Sequence, residues 1–190
     1  MKNLDLFASE IAEIKSEKNK QFLEFYFDNY VPTYFWEIGA SSSGRYHPKY
    51  SQGQGGLARH SKCVAMIAID LMRMEKFSFD DEDTDLIILA CLTHDTAKYG
   101  RNKFDKNAFK VHGETACDML AEAWEEFFGE EAPSVLTMSV ASHMGQWGNM
   151  EIQDKAGELV HLADYISSRK FLENPQCTSD YEDIFCPLPF

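Results

Sequence analysis

Residues 86–98 read LIILACLTHDTAK. The stretch begins with an apolar run at helical length, continues with the doublet His94-Asp95 and ends at Lys98. The acidic cluster 80–83 before this run suits a helix N-terminus, because carboxylates there interact favourably with the helix dipole. Successive side chains of a helix diverge by about 100°, so adjacent residues converge on one point only near a helix end. Gly100 follows shortly afterwards. The stretch therefore predicts a helix whose C-terminal end presents two potential metal ligands.

Four further residues with metal-binding side chains lie at helical spacing on the apolar faces of other predicted helices: His60, His112, His143 and Asp164. Imidazoles and carboxylates are costly inside a core unless something compensates them. A bound divalent metal would compensate all of them together, whereas otherwise each would need its own partner. Histidine and aspartate are also ligands that transition metals prefer. The sequence therefore predicts a metal centre formed by His60, His94, Asp95, His112, His143 and Asp164.

The hydrophobic pattern is helical along most of the chain, and no run of period-2 alternation indicates a strand. Amphipathic spacing predicts a first helix over residues 4–28 and a second from Leu57 to about Met74. Further helices are predicted after the cluster 80–83, from near His112, from Pro133 and over about 153–172. With 190 residues, the chain is expected to form an all-α, single-domain bundle of about six or more helices.

The expected single domain, residues 1–190, divides into three parts. Residues 1–56 hold the N-terminal helix and a loop, residues 57–173 form the metal-binding helical core, and residues 174–190 form an extended tail without helical periodicity. The loop over residues 37–56 is rich in Ser, Gly and Tyr. A loop of this length is either functional or a mobile surface segment, and its composition favours neither.

Composition and charge narrow the class of partner. A net charge of −13 repels nucleic-acid backbones, so strong nucleic-acid binding is not expected. No stretch of about 18 apolar residues indicates a membrane span. The five cysteines include no C-x-x-C pair and the N-terminus lacks the apolar block of a signal peptide, which favours reduced thiols in a cytoplasmic protein. An anionic small molecule remains a suitable substrate if metal ions supply positive charge. The sequence does not indicate the oligomeric state.

The ordered set of ligands resembles the HD superfamily of metal-dependent phosphohydrolases over about residues 59–169. In the simplest members four positions bind one metal, and they correspond to His60, His94, Asp95 and Asp164. In two-metal members, such as the HD-GYP cyclic dinucleotide phosphodiesterases, two further histidines bind the second ion and correspond to His112 and His143. The resemblance then implies that Asp95 bridges both metals. Lys98 matches the lysine of the His-Asp-x-x-Lys signature of those phosphodiesterases, where 5′-nucleotidase-like members usually carry an acidic residue.

The chain departs from the HD-GYP pattern because it contains no Gly-Tyr-Pro triplet, which removes the reason to expect cyclic di-GMP as the substrate. The segment 41–60 is similar instead to small bacterial and phage HD-domain proteins, which share its S-x-G-x-Y-H-P and G-G-L-x-R-H patterns. This second likeness bears on the fold and leaves the substrate open.

The resemblance implies hydrolysis of a nucleotide or another small phosphate ester by a phosphodiesterase or phosphomonoesterase. A water bridging the two metals would be held as hydroxide and would attack phosphorus. The catalytic residues are expected to be Asp95 and Lys98, the lysine contacting a phosphate oxygen or the leaving group; the alternative for Lys98 is a solvated lysine at a helix end. Mixed histidine and aspartate ligands favour two ions of Fe or Mn, with Ni, Co, Zn and Mg as further candidates.

Several residues near the ligands are candidates for contacting the substrate, with ordinary surface side chains as the competing interpretation. Arg59 and Lys62 flank His60, and Arg45 lies in the long loop with His47 and Lys49. Gln146 and Trp147 follow His143 in a glycine-flanked turn, where Trp147 either lines the mouth of the site or caps the core. His161 lies one turn before Asp164 and is expected to be a core residue or to support a ligand. The predicted substrate-binding set is Arg59, Lys62, Arg45 and Gln146.

Two other functional classes stay open at this point. Some HD-fold proteins use a similar pair of irons for O₂-dependent oxygenation, and anaerobic turnover would separate them from a hydrolase. A non-enzymatic binding module that keeps one metal for structure is the third class. The complete six-residue set disfavours this third class, because one metal would be enough for a structural role.

Overall fold

The computed structural model describes residues 4–41, 47–102 and 105–170, and within these ranges the chain is helical without strands. The all-α prediction is therefore confirmed, with more than six helices in the described part. The seven α-helices are α1 (Ala8–Glu13), α2 (Glu17–Asn29), α3 (Gly56–Met72), α4 (Asp81–Thr93), α5 (His112–Phe128), α6 (Ser134–Ser142) and α7 (Lys155–Ser167).

Helix α4 lies at the centre of the fold, between α3, α6 and α7. Every residue from Leu86 to Leu92 is at most 3% exposed, so this helix is enclosed on all sides. A helix that is apolar around its whole circumference is expected to be buried in this way. Asp80 caps its N-terminus by accepting a hydrogen bond from the backbone N–H of Asp83 at 2.8 Å. The capped helix carries the His94-Asp95 doublet into the interior at its other end.

The single helix predicted over residues 4–28 is wrong, because the chain breaks between α1 and α2. Asp85, which is 2% exposed, accepts hydrogen bonds from the backbone N–H groups of Lys15 and Ser16, each at 2.8 Å. The Ser16 side chain then caps α2 by accepting from the N–H of Asn19. Backbone N–H groups that bind a carboxylate cannot also continue a helix. Residues Leu4–Phe7 form a 3-10 turn before α1.

Helix α2 and the 3-10 turn Thr33–Trp36 that follows it also contact the chain just beyond α4. The hydroxyl of Tyr26 lies 2.9 Å from Thr96 Oγ1, and the hydroxyl of Tyr34 donates to the carbonyl of Gly100 at 2.6 Å. Tyr34 also accepts a hydrogen bond from the backbone N–H of Tyr99 at 3.0 Å. These contacts hold in place the segment that follows the ligand doublet.

The described part of the long loop folds back on α3. The N–H of Ala40 donates to the carbonyl of Ser51 at 2.9 Å, and Lys49–Ser51 form a 3-10 turn. At the other end of the chain α7 stops at Ser167, earlier than the predicted 172. The expected tail over 174–190 lies outside the described residues. No helix in the described ranges is long and apolar enough to cross a membrane.

Candidate metal centre

The doublet His94-Asp95 lies where α4 gives way to tighter turns. His94 Nδ1 donates to the carbonyl of Cys91 at 2.8 Å. Beyond it, the N–H of Lys98 donates to the carbonyl of Asp95 at 3.1 Å and the N–H of Gly100 to that of Ala97 at 2.8 Å, the i to i−3 pattern of a 3-10 turn. His94 Nε2 and Asp95 Oδ2 come within 3.7 Å of each other. The change of helix type at this end lets two adjacent side chains enter the same buried space.

A first ligand group forms around one oxygen of Asp95. His60 Nε2 lies 2.9 Å from Asp164 Oδ1 and 3.6 Å from Asp95 Oδ2. His94 Nε2 lies 3.7 Å from the same Asp95 oxygen and 3.9 Å from Asp164 Oδ1. The group therefore brings His60, His94 and Asp164, from α3, the end of α4 and α7, close enough together to hold one ion. Asp95 Oδ2 lies within 3.7 Å of both histidine nitrogens.

A second ligand group forms around the other oxygen of Asp95. His112 Nε2 lies 3.0 Å from Asp95 Oδ1, and His143 Nε2 lies 3.8 Å from it. The two histidine nitrogens are 3.0 Å apart. His112 begins α5 and His143 follows α6, so the second group joins the ends of two helices to the end of α4.

The close approach of α5 to α6 depends on Gly113. A Cβ at this position would lie 2.9 Å from the carbonyl oxygen of Ala141 and 3.3 Å from His143 Nδ1. Any larger residue would push the two helices apart. Glycine next to the ligand is therefore part of what brings the rings of His112 and His143 together.

Hydrogen bonds fix the tautomer of all four histidines. The Nδ1 atoms of His94, His112 and His143 each donate to the backbone carbonyl three residues earlier, at 2.6–2.8 Å. His60 Nδ1 lies 3.1 Å from Ser167 Oγ, whose one proton goes to the carbonyl of Asp164 at 2.8 Å. Ser167 Oγ must then accept the proton of His60 Nδ1. In the neutral rings every Nε2 atom carries a lone pair, which is the form that binds metal.

These tautomers make the contact between His112 and His143 unfavourable unless a positive charge lies there. Both Nε2 atoms present lone pairs at 3.0 Å, with Asp95 Oδ1 equally close to His112. Either an extra proton or a cation must separate them. With metal–nitrogen bonds of about 2.1 Å, two nitrogens at this spacing fit as neighbouring ligands of one ion.

Burial and charge set the protonation of the group. Burial lowers the pKa of His94, and it lowers that of His143 to about 3 with a further contribution from the neighbouring His112. Burial alone would raise the pKa of Asp164, but a proton on His60 Nε2, 2.9 Å from Asp164 Oδ1, would hold that pKa below its usual range in the metal-free protein. Neutral His94 and His143 beside a charged carboxylate are the state that binds a cation.

Unpaired buried atoms test whether a metal fits. His60 Nε2, His94 Nε2 and Asp95 Oδ1 are buried without a hydrogen-bond partner of good geometry among the described residues. Buried polar atoms are ordinarily satisfied, and three such atoms facing one space are unusual. All three are potential metal ligands, so the residues fit the group that the sequence predicts.

Lys98 is buried beside Asp95. Its Nζ lies 2.5 Å from Asp95 Oδ2, and the residue is 7% exposed. Burial would lower the pKa of Lys98, but the charge and the hydrogen bond of Asp95, with a smaller contribution from Asp164, together outweigh burial and raise that pKa. The alternative of a solvated lysine at a helix end therefore does not hold. The ammonium group lies on the Asp95 oxygen that faces the first ligand group.

The ligands open onto a cavity of about 570 Å³. Asp95, Lys98, His143 and Asp164 form part of its wall, and the remaining wall is rich in aromatic rings. The other lining residues are His47, Phe109, Met144, Trp147, His161, Tyr165, Ser168 and Arg169.

Comparison with known proteins identifies the family. A family model of the HD domain matches residues 57–169, more than half of the 190 residues. The chain belongs to the HD domain family. Searches of curated proteins and of solved structures found no match to the chain. The match implies the superfamily named for its metal-dependent phosphohydrolases, and the His/Asp cluster of this HD domain could hold divalent metal ions.

The HD domain brings its six predicted ligands together and keeps three of the four predicted substrate residues away from the cavity. Arg59 donates to the carbonyls of Tyr50, Gln52 and Gln54 at 2.5–3.0 Å, so its guanidinium holds the loop before α3. Lys62 binds Glu10 at 2.7 Å and ties α1 to α3. Gln146 is exposed and its neighbour Trp147 lines the cavity instead. Arg45 lies outside the described residues.

Other residues at the centre were missed or left undecided from sequence. Ser167 lies three positions after Asp164 and Phe109 three before His112, and helical spacing from the ligands could have found both. Tyr165 lies next to Asp164 and one turn after His161, whose Nδ1 donates to the carbonyl of His143 at 2.7 Å. His47, a candidate substrate contact from sequence, lines the cavity with its ring 5.2 Å from that of His60. Burial lowers the pKa of His47 to about 3.

Proposed function

We propose that this HD domain is a two-metal phosphohydrolase that hydrolyses a nucleotide or another small phosphate ester, with Fe or Mn as the metals. The observation that carries the proposal is the position of Asp95. Its Oδ2 faces His60 and His94, and its Oδ1 faces His112 and His143. A carboxylate with one oxygen in each of two ligand groups is suited to bridge two ions.

When bound, two divalent cations lower the pKa of a coordinated water and offset the charge that develops on phosphoryl oxygens. The chain's own residues then have separate tasks. Asp95, held by the turns after α4, keeps the two ligand groups at a fixed separation. Ser167 and the backbone carbonyls behind the other histidines keep each Nε2 lone pair directed into the site.

Lys98 supplies a positive charge that the metals do not. Its ammonium group lines the cavity and is paired with Asp95. With a cation bound at Asp95, the Lys98 ammonium would no longer be needed to neutralise that carboxylate and could donate to a phosphate oxygen or to the leaving group. The buried position strengthens such an interaction, because little water competes with it.

The test is to measure bound metal and phosphate release on the same samples. Chelator-treated protein is reloaded with Mn²⁺ or Fe²⁺ and assayed, with and without O₂, on p-nitrophenyl phosphate, bis(p-nitrophenyl) phosphate and a panel of nucleotides. We expect two metals per chain, and release that needs metal but not O₂. Lys98→Gln should retain both metals and lose activity by about 100-fold or more.

Arg59→Gln is a matched control for Lys98→Gln, because it removes a cation that contacts the loop and not the cavity. It should reduce stability more than turnover per folded molecule. Protein that holds two metals and releases no phosphate from any substrate would overturn the proposal. Turnover that requires O₂ would assign the centre to the oxygenase class instead.

A further inference from the structure

Three aromatic side chains stand exposed at the mouth of the cavity. Phe109, Trp147 and Tyr165 are 43%, 56% and 38% exposed, and all three line the cavity. They are half of the exposed large apolar side chains in the described ranges; the others are Met66, Met74 and Val111. Exposed apolar surface that is gathered at one opening is typical of a binding site.

The rings of Trp147 and Tyr165 are held in place by their neighbours. They are parallel within 3°, with centroids 5.7 Å apart, and the Arg169 guanidinium lies 4.3 Å from the Tyr165 centroid. The turn that carries Trp147 contains Gly145 at φ +53°, where a Cβ would lie 2.5 Å from the ring of His161. The turn therefore packs directly on α7, and the rings form a rigid platform before any ligand arrives.

Each aromatic ring lies next to a metal ligand. Tyr165 follows Asp164 in α7. The Phe109 ring stacks on the ring of His112, with centroids 5.5 Å apart and planes 21° from parallel. Trp147 contacts His161, which binds the backbone of His143. A substrate whose phosphate occupies the metal centre would place its organic part among these rings.

We propose that the substrate is a phosphate ester whose organic part carries a flat aromatic ring, a nucleobase being the biological class that fits, and that this ring stacks at the platform of Trp147 and Tyr165. This proposal rests on the proposed phosphohydrolase function. Stacking depends on the face of the ligand's ring and not on the polar groups at its edge, so the platform would accept several bases. Arg169 adds positive charge, because the described residues include no carboxylate paired with it.

Binding is tested by tryptophan fluorescence in the metal-loaded protein. Trp147 is strongly exposed, whereas Trp124 is 4% exposed and Trp36 packs among Phe7, Phe27 and Phe35. Adenosine monophosphate should quench the emission, whereas ribose 5-phosphate and inorganic phosphate, which lack the ring, should not. The quenching should disappear in Trp147→Leu, whose circular dichroism should match that of the unmodified protein.

Kinetics on the same two esters separate recognition of the ring from catalysis. In Trp147→Leu the KM for adenosine monophosphate should rise about tenfold or more with kcat little changed, since a stacked base contributes about that much. Trp147→Phe keeps a ring and should recover most of the loss. The KM for ribose 5-phosphate should be the same in all three proteins.

The outcomes test the aromatic site separately from the proposed phosphohydrolase function. Equal KM values for the two esters, or an equal rise of both in Trp147→Leu, would overturn the aromatic site and leave the phosphohydrolase in place. Quenching that depends on the ring, without phosphate release from any ester, would support the aromatic site and overturn the hydrolase.

Discussion

The Nε2 atoms of His112 and His143 lie 3.0 Å apart, and the backbone contacts of both rings leave a lone pair on each of these nitrogens. The pair is therefore unfavourable in metal-free protein and favourable around a cation. This makes the second ligand group a place where metal binding and folding stability are linked.

Replacing His143 by Gln should separate these two effects. The amide of the new side chain can donate to His112 Nε2, so the metal-free protein should be at least as stable as the unmodified one. The rise in Tm on adding Mn²⁺ should be smaller, because one ion loses a ligand; each kcal/mol corresponds to about 2–4 °C for a chain of this size. Calorimetry with chelator and with Mn²⁺ measures both. An unchanged metal-induced rise would count against a second ion at this position.

Ser167→Ala should weaken metal binding without removing a ligand. The hydroxyl accepts the proton of His60 Nδ1 and so fixes the ring, and loss of such a supporting contact reduces metal affinity by about 10-fold to 100-fold. Titration with Mn²⁺ against a competing chelator measures the affinity. Ser139→Ala is the matched control, because Ser139 is equally buried in α6 and its hydroxyl has no hydrogen-bond partner among the described residues. Equal affinities in the two variants would contradict the role of Ser167.

Gly113→Ala should reduce the metal content towards one ion per chain. The added Cβ would press on the carbonyl of Ala141 and move α5 away from α6, which separates His112 from His143. Gly129→Ala tests the same helix at its other end, where φ is +75° and a Cβ meets open space. That variant should lose about 1 kcal/mol of stability and keep its full metal content. Elemental analysis of both purified variants decides between these outcomes.

Asp85→Asn should destabilise the fold and leave the metal centre unchanged. The carboxylate accepts the backbone N–H groups of Lys15 and Ser16, and an amide would turn a donor towards one of them. We expect a loss of about 1–3 kcal/mol in the free energy of unfolding, measured in urea. Asp81→Asn, at an exposed position of the same helix paired with Lys15, should change it by less than about 1 kcal/mol. A fall in metal content of folded Asp85→Asn protein would show that its effect reaches further than the break between α1 and α2.

Stability should fall at alkaline pH, and Tyr34 should account for part of the fall. Burial raises the pKa of Tyr34 from 10.0 to about 12, because the ionised phenol would be poorly solvated beside Gly100. Between these two pH values the unfolded chain loses the proton while the folded chain keeps it, so the free energy of unfolding decreases as pH rises. Tyr34→Phe should be less stable below pH 10 and should show a shallower decline towards pH 12. Urea unfolding across this range tests it, and parallel declines would contradict the assignment.

The gathering of the six candidate ligands was predictable because the interval between a side chain and the apolar residues of its own helix is a local property. His60, His112 and His143 all lie on apolar faces by spacing alone, and the structure buries them accordingly. The enclosed position of α4 could likewise be read from its unbroken apolar run. Spacing does not show which ring nitrogen of each histidine faces the site. That depends on the backbone carbonyls and on Ser167, which bind the Nδ1 atoms.

The failures came from partners that are distant in sequence. The break between α1 and α2 depends on Asp85, about 70 residues away, so the amphipathic pattern over residues 4–28 gave no sign of it. Arg59 and Lys62 looked like phosphate contacts because they are basic and flank His60. Their charges are used by the loop carbonyls and by Glu10, which sequence spacing does not pair with them.

The hydrogen bond between Tyr26 and Thr96 crosses the boundary of the family match, which begins at residue 57. So do those of Tyr34 with Gly100, of Asp85 with Lys15 and of Lys62 with Glu10. The matched stretch, which contains all six candidate ligands, is thus shorter than the stretch that folds. A truncated protein starting at residue 57 would expose the apolar side chains on which α2 packs and would deprive the Asp85 carboxylate of the backbone N–H groups that it binds. Protein engineering that transplants this centre must therefore move the first helices along with it.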